Sequence, residues 1–370
     1  MNCAVVGLGI GMAHVAGYRK APEARLVAVA DPWTPRREKI GGTFSQGSMS
    51  SLRPLFSEND YDRPWSDWGV RAYTDIREVA QDKEIELVSL CTPDFLHEEH
   101  ALLLLNAGKH LILEKPVALS LEGAERIRDA SEAAGRRVAV AYEFRLNPGA
   151  LALKALIERG ELGDIRAFSL YHFRTPFRRD KWNNWIQSEA GSGGLIVEET
   201  SHWFDLARYL TGQEFATVQT VGTADIHPDF DYEDVAFCQG RFTDGTAWQI
   251  SHALSGFDFS FSIQVHGTRG TAWLGLKEDT YSSLDAGAST HWGVLSHAPL
   301  NSGSRDAVVR VFDSEAGEPE SIRDNVAALV ECFVRDEPFP TTLDDGIKAL
   351  SVALAARKSY RSGELVRLEQ

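Results

Sequence analysis

Asn2-Cys3-Ala4-Val5-Val6-Gly7-Leu8-Gly9-Ile10-Gly11 opens on a β-branched apolar run and breaks at once into closely spaced glycines, after which residues 12–20 read as a helix. A strand that turns through glycine straight into a helix is the entry to a parallel α/β unit. Gly7 suits the tight turn, and Gly9 leaves its backbone open to an approaching pyrophosphate. The helix start at Ile10 and Gly11 offers unpaired N–H groups and a partial positive charge. The third glycine comes one position early, with Met12 in the place that GxGxxG spacing reserves for it, so different packing of this first helix is expected. Short apolar runs at 26–30, 87–91, 110–113 and 137–141 alternate with helical patterns, which gives a doubly wound parallel sheet over the first third of the chain. Asp31 ends the second run, where a carboxylate takes the adenosine ribose hydroxyls and repels a 2′-phosphate. NAD is therefore the expected cofactor. Arg36 and Arg37 leave NADP open, and a plain strand-end turn is the alternative role for Asp31. Between residues 34 and 73 a Gly/Ser-rich stretch with Pro64, Trp65 and Trp68 interrupts the alternation and reads as an inserted loop or lid.

Beyond Asn147 the pattern changes to alternating strands at 166–173, 215–223, 234–242, 247–254 and 261–266. Turn signals at Asp244-Gly245 and 268–270 make these largely antiparallel. The tail carries two amphipathic helical patterns over 321–362, separated by Pro338 and Pro340. The expected fold class is α/β: a Rossmann domain over 1–122, then an α+β domain over 123–370 with an open, largely antiparallel sheet. A C-terminal helix packing back on the Rossmann domain is compatible with this division.

A formal net charge of -15 describes an acidic globule that repels nucleic acid and anionic membrane. Cys3, Cys91, Cys238 and Cys332 lie far apart with no CxxC or Cys/His spacing, so no metal site or disulfide framework is expected. Asp225, His227 and Asp229 resemble a metal cluster only loosely and read as an ordinary loop. There is no bilayer-length apolar stretch and no basic leader ahead of Asn2, so the expectation is a cytoplasmic protein without a membrane partner.

Two further segments carry chemistry. Glu114-Lys115-Pro116 follows a buried strand, at the carboxyl edge where open α/β sheets collect ligands. An ammonium there can hold a substrate oxygen while hydride leaves the same carbon; a salt bridge to Glu114 is the structural alternative. Residues 193–205 read as one helix that places Glu198, His202 and Asp205 on a shared face. A histidine with a carboxylate one turn away serves as a general base near neutral pH, or the pair pins the helix.

With these residues in hand, the chain resembles the glucose-fructose oxidoreductase, inositol dehydrogenase and rhizopine-catabolism group, the Gfo/Idh/MocA family. Thr92-Pro93 with His97, Ala107-Gly108-Lys109-His110, Arg145 with Asn147-Pro148, Gly160-Glu161-Leu162-Gly163 and 205–210 match in order. The resemblance implies that Lys115 contacts the reacting hydroxyl and the nicotinamide ribose, that Glu114 beside it also belongs to the cofactor site, and that His202 moves the proton. It implies a cis peptide before Pro116, and a Glu198 that replaces the usual aspartate beside the histidine. It puts Thr92, Pro93 and His97 along the cofactor; a strand-ending turn and a helix cap are the alternatives. Arg145 and Asn147 edge the substrate site by the same likeness, or Arg145 anchors the domain junction, and Asp205 is a further candidate for the substrate edge. Trp182 and Trp185, in a loop dense with aromatic and basic groups, suit the C–H face of a pyranose ring or a packed lid. The implied activity is an NAD(P)-dependent dehydrogenase of a sugar or cyclitol, working as a homodimer or homotetramer. An NAD-recycling glycoside-cleaving enzyme and a catalytically silent NAD or sugar sensor are the rival readings.

Overall fold

A computed structural model of the chain describes residues 1–46, 50–176, 182–254, 259–276, 292–300, 307–312 and 318–369. The chain divides into two units, the first built from 1–143, 178–185 and 319–347, the second from 144–177, 186–318 and 348–370.

The first unit holds a parallel sheet of β1 (Asn2–Val6), β2 (Arg25–Ala30), β3 (Arg71–Tyr73), β4 (Leu87–Leu90), β5 (His110–Leu113) and β6 (Val138–Val140) in the order β3-β2-β1-β4-β5-β6. This is the doubly wound arrangement expected from the alternating apolar runs. Its central strands are buried on both faces, which is why they read as continuous rather than alternating apolar sequence. Helices α1 (Gly11–Lys20), α2 (Thr34–Glu38), α3 (Ile76–Gln81), α4 (His97–Asn106) and α5 (Leu121–Ala134) lie between the strands. The expected boundary at residue 122 falls just inside α5, and β6 beyond it pairs with β5. The 34–73 insertion is not an open lid. After α2 it forms short 3-10 turns around a cluster of Phe44, Phe56, Tyr61, Trp65 and Trp68. Trp65 is 1% exposed and its indole N–H donates to the Arg36 carbonyl at 2.8 Å. Burying that much aromatic surface holds the insertion against the sheet core.

The second unit is a nine-stranded mixed sheet, mostly antiparallel, in the order β14-β13-β12-β11-β7-β10-β9-β8-β15. Its strands are β7 (Ile165–Arg174), β8 (Phe215–Thr223), β9 (Val235–Phe242), β10 (Ala247–Leu254), β11 (Phe259–Gly267), β12 (Gly270–Leu276), β13 (Trp292–Pro299), β14 (Val308–Val311) and β15 (Val366–Arg367). Among these, β7 and β10 pair in parallel. Gly245 has φ +87° in the β9–β10 hairpin, as the Asp-Gly turn requires. Helices α6 (Pro148–Glu158), α7 (Glu189–Ser192), α8 (Gly194–Glu198) and α9 (Thr200–Thr211) precede β8, and α9 packs on β7 and β10.

Two long helices, α10 (Glu318–Arg335) and α11 (Leu343–Ser362), realise the two patterns of the tail. α10 packs back on the first unit: Ile322, Val326, Leu329, Val330 and Phe333 share a core with Cys3, Val5 and Met12. Among the described residues, no helix is long and apolar enough to cross a membrane.

Candidate active site

In the first unit the parallel register sets the geometry. Val6 lies opposite Leu90, and Leu90 opposite Leu113, so Gly7, Cys91 and Glu114 each stand one residue past the same row. Lys115 and the glycine turn therefore leave the same edge of the sheet, two strand spacings apart, about 10 Å. Gly7 has φ +88°, and a side chain there would strike the Cys91 carbonyl oxygen at 2.2 Å. A Cβ on Gly11 would meet Val5 at 2.8 Å and Cys91 at 3.3 Å. The early third glycine thus performs the close helix–sheet packing itself, and Met12 is buried without needing to be glycine. Above Gly9 a Cβ would meet, among the described residues, only the Arg36 guanidinium, at 3.7 Å. That leaves a backbone cradle faced by a cation at the start of a ten-residue helix with no acidic residue in its first turn, which fits a dinucleotide pyrophosphate. Asp31 is 4% exposed; Oδ2 accepts from the Leu8 N–H at 2.8 Å and from Arg36 at 3.3 Å, and Oδ1 from the Trp33 N–H at 2.8 Å. It ties the end of β2 to the glycine turn. Thr43, from the insertion, donates to the Leu8 carbonyl at 2.8 Å and braces the same turn.

The Lys115–Pro116 peptide is cis, as the resemblance implied. His97 is fully buried; its Nδ1 faces the Pro116 carbonyl at 2.7 Å and its Nε2 the Thr92 carbonyl at 2.9 Å. Its side chain does not cap α4. It straps the Thr92-Pro93 end of β4 to the segment that carries Lys115. Burial pushes its pKa down against the pull of the two carbonyls. Glu114, 7% exposed, accepts from His14 Nε2 at 2.7 Å and from the Lys115 backbone N–H at 3.3 Å. Burial alone would raise its pKa, but the His14 hydrogen bond and the Lys115 charge hold it below the ordinary carboxylate value.

In the second unit the expected single helix is two. α8 ends at Glu198 and α9 begins at Thr200, with Glu199 at φ -107° between them. The break has tertiary causes. The Thr200 hydroxyl bonds back to the Leu195 carbonyl at 3.1 Å and Arg174 holds the Glu199 carboxylate at 2.8 Å, while Glu233 caps the start of α8 by accepting from the Ile196 N–H at 2.9 Å. Glu198 therefore closes one helix while His202 sits in the first turn of the next, both nearly buried at 7% and 5% exposed. The His202 ring meets Phe144 edge-on at 5.0 Å, and its neighbour Trp203 stacks on the same ring at 4.9 Å.

Asp205 and Arg145, both expected at the substrate edge, bind one another. Arg145 Nε donates to Asp205 Oδ2 at 2.8 Å and Nη2 to Oδ1, in a pair with Arg145 6% and Asp205 1% exposed. The pair engages both carboxylate oxygens. The side chain of Trp182 lies outside the described residues, and Trp185 is half-buried on the turn Trp182–Gln187.

A cluster that the sequence did not suggest lies beneath α9. His172 and His252 are register partners on β7 and β10, both fully buried, with His172 Nδ1 3.1 Å from His252 Nε2. Thr200 lies 3.0 Å from His252 Nδ1. Its single hydroxyl proton goes to Leu195, so it accepts from His252 Nδ1–H, and His252 Nε2 accepts from His172 Nδ1–H. Burial, then the neighbouring His252, pushes His172 well below its ordinary value and keeps it neutral. Glu199 completes a three-ligand group within 4.8 Å, but a divalent ion there would face the Arg174 guanidinium that Glu199 already holds.

Residues 1–142 match the family model described as an oxidoreductase family, NAD-binding Rossmann fold, and residues 154–368 match its C-terminal alpha/beta domain. The first unit is thus an NAD-binding Rossmann domain. The chain is 27% identical over 377 residues to scyllo-inositol 2-dehydrogenase (NAD(+)) of Bacillus subtilis strain 168, spanning 100% of this chain and 96% of the relative. It is 28% identical over 300 residues to levoglucosan dehydrogenase of Pseudarthrobacter phenanthrenivorans, over 73% of this chain and 72% of that one. A solved structure of a levoglucosan dehydrogenase in complex with NADH superposes with a TM-score of 0.81 at 20% identity, covering 100% of this chain and 99% of that chain, a likeness of fold.

Proposed function

The chain belongs to the Gfo/Idh/MocA oxidoreductase family, and from that premise we propose that it transfers hydride between NAD and a secondary hydroxyl or ketone carbon of a sugar, sugar derivative or cyclitol. The observation that carries this reading is the shared sheet edge: the glycine turn and Lys115 leave the same row of parallel strands. Relatives of similar length that act on a cyclitol and an anhydrosugar support the substrate class.

Bound NAD supplies the carbon that accepts or returns the hydride. The chain's own residues do the rest. Lys115 holds the substrate oxygen and stabilises alkoxide character on it. His202 takes the hydroxyl proton as a neutral imidazole, and returns it in the reverse direction. Glu198 orients that ring. The exposed Val221 and Phe237, cross-strand partners on the outer face of the nine-stranded sheet, suit association into a homodimer or homotetramer. Sedimentation that found only monomer would remove that part of the reading.

The test is a polyol and sugar panel with NAD, followed by His202→Ala and Lys115→Met on whichever substrate turns over. Each substitution should lower turnover by roughly two to four orders of magnitude while NAD affinity stays near wild type. Aglycone release from glycosides without net NADH would replace the dehydrogenase with the recycling reaction. Dinucleotide binding with no turnover of any kind would replace it with a sensor.

A further inference from the structure

Behind Lys115 the Rossmann core contains a polar chain that the proposed chemistry does not use. His14 and Tyr18 stand one turn apart on α1 and face Ser89 on β4. Tyr18 Oη lies 2.7 Å from Ser89 Oγ, Ser89 Oγ 2.9 Å from His14 Nδ1, and His14 Nε2 2.7 Å from Glu114 Oε1. His14 and Ser89 are fully buried, Tyr18 is 1% and Glu114 7% exposed. Polar groups this deep persist only when each finds a partner.

One donor order satisfies every group in the chain. Burial pushes the Tyr18 hydroxyl well above its ordinary pKa, so it keeps its proton, and in this order it donates to Ser89. Ser89 then donates to His14 Nδ1, and His14 Nε2–H donates to the Glu114 carboxylate. Every donor points toward Glu114, so each bond polarises the next in the direction that favours the anion. Cys91, the third member of a His14, Cys91 and Glu114 group, stays a thiol: burial, then the Glu114 charge, pushes it well above its ordinary value. Among the described residues, Lys115 and His97 also act electrostatically on Glu114. The chain ends in the core at Tyr18, so it has no route to deliver a proton to water. What it can do is hold a charge in place.

We propose that His14, backed by Ser89 and Tyr18, is a positioning residue that locks Glu114 as the counter-charge of the Lys115 amine. The proposal rests on the reading of Lys115 as the group that holds the reacting oxygen. Without His14, the buried Glu114 loses the partner that keeps it ionised, and Lys115 loses the anion that keeps it an ammonium. Geometry and charge at Lys115 then fail together.

Competitive labelling with trace acetic anhydride, read by mass spectrometry on the full-length protein, reports the fraction of Lys115 present as free amine and needs no substrate. Relative to the exposed Lys83, Lys115 should label about 3–10 times faster in His14→Ala than in wild type at pH 8. His14→Gln keeps an N–H donor toward Glu114 and should return the rate to within about two-fold. On an accepted substrate, His14→Ala should lower kcat roughly 10–100-fold with NAD affinity changed less than about three-fold. Should His14→Ala fail to fold by circular dichroism, Tyr18→Phe removes only the far hydroxyl and should move labelling the same way by about 1.5–3-fold. Wild-type labelling of Lys115 in a folded His14→Ala, or in Tyr18→Phe if that variant alone folds, overturns the proposal. If labelling responds but no sugar or cyclitol turns over, the positioning role of His14 stands and the proposed reaction falls. Turnover with unresponsive labelling keeps the reaction and removes the positioning role.

Discussion

The Arg145–Asp205 pair separates a structural from a substrate-binding role by magnitude. Asp205→Leu leaves the Arg145 guanidinium at a site only 6% exposed without its bidentate carboxylate. Breaking a buried pair from one side costs about 3–5 kcal/mol, because the remaining charge is stranded away from water. For a unit of this size, roughly 2–4 °C accompanies each kcal/mol, so the expected fall in Tm is about 6–20 °C. Arg145→Met should sit at the lower end of that range, since Arg208 lies 3.9 Å from Asp205 Oδ1 and offers a substitute cation. The double variant Arg145→Met/Asp205→Leu removes both charges. It should recover to within about 1–2 kcal/mol of wild type, a large coupling for two residues in contact. Urea and thermal unfolding followed by circular dichroism measure the cycle, with an NAD titration as a check on the first unit. If Asp205→Leu unfolds within about 1 °C of wild type while kcat/KM collapses, the pair is not what holds this helix, and Asp205 belongs to the substrate after all.

Arg36 lies 3.3 Å from Asp31 and faces the open side of Gly9, so Arg36→Ala should weaken NADP about ten-fold more than NAD. Calorimetric Kd values for both dinucleotides decide this, and an unchanged ratio means that Arg36 does not read the 2′-position. His172 gives a pH signature. Its folded pKa lies well below the ordinary 6.5, so the unfolded chain binds the extra proton first, and stability that is complete above about pH 6.5 is lost as the pH falls below it. The slope should approach about 1.4 kcal/mol per pH unit for this one group. Urea unfolding of wild type and His172→Asn at pH 7.5, 6.5 and 5.5 tests it, and identical slopes would show that His172 does not set the acid limb.

The Rossmann half was legible because its physics is local. Strands covered on both faces are written as unbroken apolar runs, and each turn into the site begins at a residue, such as Gly7, that backbone sterics dictate. β3 escaped because Arg71-Ala72-Tyr73 is three residues long with no buried member. The insertion was visible as a disturbance, but not as a packed one, since its aromatic cluster assembles Tyr61, Trp65 and Trp68 with Phe44 and Phe56 from further upstream. The division between α8 and α9 had no signal of its own. Its letters are helical, and the Arg174 guanidinium that holds Glu199 at the junction comes from 25 positions away.

The two buried histidine clusters show how far a pattern reading can still reach. Phe168, Leu170 and His172 alternate inward on β7, as Trp248, Ile250 and His252 do on β10, and His14 sits on the sheet-facing side of α1 with Tyr18 one turn on. A histidine at a position that periodicity assigns to the core has no water to satisfy it, so a protein partner is required. The pattern therefore locates such a residue even where it cannot name the partner: His252 is 80 positions from His172, and Glu114 is 100 from His14. Only register supplies those distances. That is why both clusters sit in stretches whose own sequence neighbourhoods looked like ordinary core.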